Sequence, residues 1–501
     1  MITPRALLLF VLCLVCGPAA ASQTGLVIAS KKFTESVIIG DIATDLARAA
    51  GTGVTHRQEL GGTRLLWDAL CAGAIDLYPE YTGTLIHEIL AGERIADDTA
   101  LNAALEKRGL RMSRSLGFSD TYALGMTVEN AHRLGIASLS DLSRHRGVRL
   151  GLSNEFLNRA DGWPGLRAAY GFPLRNPTGL DHDLAYRALT SGAVDAIDLY
   201  TTDAEIAADH LVTLADDRHY FPRYDAVILY RIDAAQRYPA ALAAILRLEG
   251  KIDTASMIAL NGQARLEHRD EASIAADFVR DRFAIVAQDH AQGLVGRIVQ
   301  RSLEHLGLTL VSLAAAIAVA IPLGVFAARN PRIGRGIMTI SGVIQTIPSL
   351  ALLVFMIPLL GIGARPAIAA LFLYSVLPIL RNTASGLHGI APGLRASAIV
   401  LGLTPWRRLL RVELPLALPT IFAGIKTAAV INIGTATLGA LVGAGGYGQP
   451  ILSGIRLDDF GLILEGAVPA AVLALLTEAA FDLAERLVTP RGLRPQTGVG
   501  I

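Results

Sequence analysis

The sequence predicts an α/β two-lobed soluble unit followed by an all-α polytopic membrane unit, and three observations lead there. Over 22–285, short apolar runs alternate with amphipathic helical stretches, and no apolar run reaches the roughly 18 residues that a span needs. Over 304–488, five apolar stretches of near-span length follow one another. The whole chain, 501 residues with 52% hydrophobic content, is too apolar for an ordinary soluble protein. A net charge of +1 and 6% aromatic residues provide no basic field, which excludes a nucleic-acid-binding class.

Residues 1–21 read as a secretory signal. Arg5 is followed by the apolar run from Ala6 to Cys16 and by Gly17-Pro18-Ala19-Ala20-Ala21, with small residues three apart, which puts cleavage after Ala21. The alternative, an uncleaved anchor helix, leaves the next segment on the same side. Two of the three cysteines fall in or beside this run and leave with the signal, so Cys71 remains alone and no intrachain disulfide is expected.

In the soluble unit, Leu26-Val27-Ile28-Ala29 is a short buried-type strand, and Glu35 to Ala50 is an amphipathic helix ended by Gly51. Val148 to Leu152, Ala196 to Leu199 and Ala226 to Tyr230 are further strands between helical stretches, which implies a parallel or mixed sheet. The length of 22–285 exceeds one ordinary core and divides naturally into two lobes. Lobes of this kind close on a ligand held between them. A linker is expected over 286–303.

The five apolar stretches run from about Leu306 to Ala327, Ile337 to Leu360, Ala367 to Leu380, Ile421 to Val442 and Leu462 to Leu483. Arg329, Arg332 and Arg335 follow the first; Arg381, Arg395, Arg407, Arg408 and Arg411 lie between the third and fourth; Arg486, Arg491 and Arg494 follow the fifth. The other loops carry only Arg365, or Arg456 beside Asp458 and Asp459. The positive-inside rule then puts the soluble unit outside and the tail 489–501 in the cytoplasm. Pro348 and Pro378 mark either a translocation path or ordinary kinks. Lys426 is expected to snorkel and Asn432 is a polar position within the fourth stretch.

Between the third and fourth stretches, Ala396-Ser397-Ala398-Ile399-Val400-Leu401-Gly402, Thr404-Pro405-Trp406 and Val412-Glu413-Leu414-Pro415 form an elbow of two short helices, separated by a Gly turn and stopped by Pro. This elbow resembles the ATPase coupling loop of binding-protein-dependent ABC importer permeases, with Ala398, Gly402, Val412, Leu414 and Pro415 at its positions. The Glu that opens the family motif is replaced by Ala396. Gln345 to Leu353, Leu377 to Thr383 and Gly443 to Gly448 resemble permeases for glycine betaine, choline and related osmoprotectants. The Gly run lacks a Gly-Lys-Ser/Thr ending and reads as a re-entrant turn, so ATP belongs to a partner subunit and this chain holds no cofactor of its own.

The soluble half resembles the quaternary-ammonium-binding proteins of the same importers. The resemblance rests on Ser30 to Glu35, Leu60 to Thr63, Asp76 to Thr84, Ser119 to Leu124, Glu155 to Gly162 and Asp198 to Asp203. It implies a periplasmic-binding-protein fold joined to a type I importer permease, an aromatic cage of Tyr81, Tyr122, Tyr200 and Tyr224, and a carboxylate site of Lys31, Arg159 and Thr84. The Asp120 carbonyl would face the cation. The physics agrees: a trimethylammonium group donates no hydrogen bond and is recognised by ring faces, whereas a carboxylate needs fixed donors. The chain has only five lysines, two of them adjacent at Lys31-Lys32. Ser36 stands where the family often has Gln, which leaves glycine betaine, proline betaine, carnitine, choline or a larger betaine open.

The resemblance further implies a non-enzymatic transport subunit of a bacterial inner membrane, paired as a homodimer and served by two copies of an ABC ATPase. No Gly-x-Ser-x-Gly element is present, and Asp181-His182-Asp183 lacks an evident third metal ligand and reads as a polar loop or helix start, so no metal site is expected. A ligand-gated receptor or channel is the competing class; it predicts no coupling elbow.

Overall fold

The computed structural model describes residues 25–173, 177–286 and 293–488. Among these, 25–286 with 455–459 form one compact unit, and 293–454 with 460–488 form another. The expected signal over 1–21 and the expected tail 489–501 lie outside the described residues.

The first unit holds two mixed five-stranded sheets. One has the order β2-β1-β3-β10-β4, from β1 (Leu26–Ala29), β2 (Val54–Arg57), β3 (Leu77–Tyr81), β4 (Leu110–Met112) and β10 (Ala226–Arg231). The other has the order β7-β6-β8-β5-β9, from β5 (Tyr122–Thr127), β6 (Leu150–Ser153), β7 (Thr178–Leu180), β8 (Ala196–Tyr200) and β9 (Leu211–Thr213). In each sheet the strand that arrives from the other lobe pairs antiparallel: β10 with β3 and β4, β5 with β8 and β9. The chain therefore crosses between lobes twice, after β4 and after β9, and a bridge from Ser119 to Asp225 ties the crossings together. Two short tied connections are what a hinge between closing lobes requires.

The expected helix is Thr34–Ala49, buried along nearly its full length. β3 was not foreseen, because Pro79 and Glu80 in Leu-Tyr-Pro-Glu-Tyr argue against a central strand. Glu80 is nevertheless fully buried and is held there by Lys31.

In the second unit, four helices are long and apolar enough to cross a membrane: Leu294–Arg329, Ala364–His388, Pro405–Val442 and Phe460–Glu485. The first begins inside the expected linker, so much of 286–303 is helical. The expected second span is a broken pair, Pro331–Thr346 and Ser349–Leu360, bent by 99°. Pro348 sits at the break, where it lacks the N–H that would continue the ladder. Small residues let the long helices approach: a Cβ on Gly324 would meet Thr383 at 2.7 Å, and one on Gly424 would meet Asn382 at 2.6 Å. Asn432 is fully buried, donating to Ser312 at 3.0 Å and accepting from Ser375 at 2.9 Å. Lys426, expected to snorkel, pairs with Asp482 at 2.6 Å and Glu478 at 3.4 Å.

The elbow has the helix Pro392–Val400, a turn with Gly402 at φ +74°, and a second helix starting at Pro405. Pro415 does not stop that helix, contrary to the sequence expectation. A π-helical turn over Leu409–Glu413 absorbs the missing N–H, and the helix continues as Leu414–Ala436. Glu413 is buried beneath three arginines, Arg408 at 3.1 Å, Arg329 at 3.4 Å and Arg395 at 3.9 Å. Ala398 is buried, whereas Val400, Leu401 and Trp406 are exposed. The Gly run forms a turn with Gly443, Gly445 and Gly446 at positive φ, between a 3-10 segment and the helix Gly448–Arg456.

Candidate functional site

Lys31, Tyr81, Thr84, Asp120, Tyr122, Arg159, Tyr200 and Tyr224 all line one cavity of about 510 Å³ in the two-lobed unit. Strand ends bring them there. Tyr81 closes β3 and Thr84 lies in the helical turn that follows it; Asp120 and Tyr122 lie at the first crossing and the start of β5. Tyr200 ends β8, directly opposite Tyr122 in the antiparallel register. Tyr224 precedes β10 and its ring lies on the backbone of Gly83, where any Cβ would meet ring carbons at 2.3 to 2.7 Å.

The rings form a connected group. Tyr122 stands 5.1 Å from Tyr200 and 5.6 Å from Tyr224, the latter edge to face at 87°. Phe33 joins Tyr200 edge to face at 6.0 Å, and His182 lies on Tyr200 at 4.2 Å. Ring faces already carry cations of the protein itself. The Arg159 guanidinium is 5.6 Å from the Tyr122 ring and 6.0 Å from Tyr224, and the Lys31 ammonium is 5.4 Å from Tyr81.

The residues implied as carboxylate donors have partners of their own. Arg159 forks onto Asp161, reaches Glu88 at 2.9 Å and donates to Thr84 at 3.3 Å. Burial raises the Asp161 carboxyl, but Arg159 outweighs it and holds the group below the usual range. Lys31 donates to Glu80. Lys31, Thr84 and Arg159 thus gather at one end of the cavity, with their charges largely balanced.

The Tyr81 hydroxyl leads to an acidic group. Glu35 is buried and accepts from the Tyr81 hydroxyl, from Thr202 Oγ1 at 2.7 Å and from Asn261 at 3.2 Å. Burial pushes its carboxyl up to about 7; the three hydrogen bonds oppose the rise and Asp203 adds to it. Asp120 is raised too, by burial first and then by Glu35 and Asp203. Thr202 Oγ1 lies 2.7 Å from both Glu35 and Asp120. A hydroxyl has one hydrogen, so the two short contacts require a proton on one of the carboxyls.

Phe33, Glu35, Thr202 and Asn261 were not singled out from the sequence as cavity residues, and His182 was weighed only as part of a metal cluster. The first two sit inside the quoted run Ser30 to Glu35, and Thr202 inside Asp198 to Asp203. Asp181 caps the helix His182–Thr190, as a helix start would, but its neighbour His182 also faces the cavity. Asn261 lies on the helix Thr254–Arg265, where no motif marks it. Among the described residues no group of three or more His, Cys, Asp or Glu could hold a metal ion.

Comparison with known proteins gives the same division. The substrate binding domain of ABC-type glycine betaine transport systems matches residues 24–281, and the inner membrane component of binding-protein-dependent transport systems matches 320–493. The glycine betaine/carnitine/choline transport system permease protein OpuCB of Bacillus subtilis is 44% identical over 199 residues, 40% of this chain and 92% of the relative. The ergothioneine transport permease/ergothioneine binding protein EgtU of Helicobacter pylori is 32% identical over 272 residues, 52% of this chain and 48% of the relative. A solved glycine betaine/carnitine/choline ABC transporter structure aligns over 51% of this chain and 98% of its own, with 29% identity and a TM-score of 0.44. The chain belongs to the osmoprotectant ABC importer family, with a glycine betaine-type substrate-binding domain and a transport permease fused in one polypeptide.

Proposed function

We propose that the cavity between the lobes binds a quaternary ammonium compound, with Tyr81, Tyr122, Tyr200 and Tyr224 around its methylated cation. Lys31, Thr84 and Arg159 then face a carboxylate where the ligand has one. The observation that carries this reading is the placement of Arg159 on the faces of Tyr122 and Tyr224: those faces accept a cation. Glycine betaine, proline betaine, carnitine and choline all fit the chemistry, as does a larger betaine. Calorimetric titration of the full chain with these compounds tests the reading, and silence toward all of them overturns it.

The permease unit would work with two copies of a separate ABC ATPase, which alone uses ATP, and would pair as a homodimer in a bacterial inner membrane. The exposed apolar side chains Val400, Leu401 and Trp406 support the elbow as the ATPase contact. The binding unit would face the outside and the C-terminus the cytoplasm, with residues 1–21 as signal, 22–285 as binding domain and 304–488 as permease. Co-purification of an ATPase with the full chain, lost on Gly402→Trp, tests the contact.

A further inference from the structure

The adjacent lysines Lys31 and Lys32 take different directions. Lys31 turns into its own lobe and donates to Glu80. Lys32 is pinned to the same lobe, its backbone N–H donating to the Gly61 carbonyl at 3.0 Å, but its ammonium reaches the other lobe. There it pairs with Glu155 at 3.0 Å and with Asp181 at 3.2 Å. Glu155 lies on the short helix Asn154–Asn158 that follows β6, and Asp181 caps the helix between β7 and β8, so both acids belong to the lobe of the second sheet. Phe33 crosses as well, meeting Tyr200 edge to face at 6.0 Å. Burial lowers the Lys32 ammonium, but Glu155 and Asp181 outweigh it and hold the group above the usual range.

Other ion pairs also join the lobes, and they are more deeply buried. Arg159 meets Glu88, and Arg265, on a helix packed against Thr34–Ala49, meets Asp183 and Glu205; these side chains are 10 to 19% exposed. Lys32, Glu155 and Asp181 keep 26 to 38%. Glu155 also lines the cavity, so the exposed pairs stand at its rim. Parting a buried pair strands its charges, whereas water and salt readily replace a partly exposed one. We propose that Lys32 is a positioning residue for ligand release: it clasps Glu155 and Asp181 across the mouth of the cleft, delays reopening once the lobes have closed, and lets go as ionic strength rises. The inference rests on the reading of the cleft as the ligand site.

The test is the release of glycine betaine and of choline from the full chain in nanodiscs. Lys32→Gln should raise the dissociation rate about three- to tenfold and leave association nearly unchanged, because the clasp forms only after closure. Lys32→Arg keeps the charge and should stay within about twofold of wild type. Raising salt from about 0.1 M to about 1 M shortens the Debye length from about 10 Å to about 3 Å; wild type should then release faster, and Lys32→Gln should respond less. A second readout needs no ligand: the distance between spin labels on the exposed Cys71, in the lobe of the first sheet, and on Ser191→Cys, in the other, should lengthen with salt and with Lys32→Gln. Equal release rates and an unchanged label distance overturn the clasp, as does faster release of Lys32→Gln with an undiminished salt response. If neither compound binds, the ligand reading fails and the label distance alone decides the clasp: it stands if Lys32→Gln lengthens that distance and falls if it does not.

Discussion

Replacing Tyr200 by alanine should weaken quaternary ammonium binding by about 2 kcal/mol, the worth of one ring face against a desolvated cation. The figure follows from position. Tyr200 ends β8 opposite Tyr122 at 5.1 Å, with Phe33 at 6.0 Å on another side, so its ring is fixed before any ligand arrives and little ordering cost offsets the contact. About 2 kcal/mol is roughly a thirtyfold rise in Kd. Tyr200→Phe keeps the ring and should stay within about threefold of wild type. Calorimetry on the full chain, with choline and its neutral isostere 3,3-dimethylbutan-1-ol, separates charge from shape. The isostere should lose about as much as the alanine variant does. Equal binding of the isostere, or a Phe variant as weak as the Ala variant, refutes the ring-face argument.

Other outcomes follow from the same geometry. Glu35 sits at about 7 in the free cleft, and a cation beside it lowers that value, so binding releases protons. Affinity should therefore rise with pH up to about 7 and level off above, and Glu35→Gln should flatten the profile in titrations from pH 5.5 to 8.5. His182, held at about 10 against an unfolded value near 6.5, adds stability that is complete below about 6.5 and lost as pH rises through 10; His182→Phe should remove that slope from thermal melts of the full chain. Gly83→Ala would drive a methyl into the Tyr224 ring and should cost about 1 to 3 kcal/mol of stability together with loss of binding, read by melting and calorimetry. Glu413→Ala leaves Arg329, Arg395 and Arg408 without their shared anion and should abolish vesicle uptake while the ligand affinity of the cleft is kept.

The fold was readable where burial and pattern agree. The runs at Leu26 and Ala226 are apolar on both faces because they lie inside a mixed sheet, and with the Ala196 run, whose Asp198 is buried against Ser153, they appear as strands within a residue or two. β3 was hidden because its Glu80 is stabilised by Lys31, 49 residues away in sequence, a pairing that no local pattern reports. The break at Pro348 and the π-turn before Pro415 also escaped: both prolines were visible, but whether a helix breaks or absorbs a missing N–H depends on the packing around it. In the cleft, Tyr81, Tyr122 and Tyr200 were found through the motifs that carry them, and Tyr224 only as a cage position that the resemblance implies. Asn261 was not, since an isolated amide on an amphipathic helix looks like a solvated position until the lobes bring Glu35 and Thr202 against it. The family assignment, by contrast, rested on motifs in both halves, and the comparisons uphold it.

The most direct trial of the account is a calorimetric titration of the full chain, in nanodiscs at pH 7.5, with glycine betaine, proline betaine, carnitine, choline, histidine betaine and ordinary amino acids. The account predicts saturable binding of one or more of the quaternary ammonium compounds, weakened by Tyr81→Ala and by Tyr200→Ala, and no response to the amino acids. Clear binding of an ordinary amino acid with silence toward every quaternary ammonium compound would contradict it.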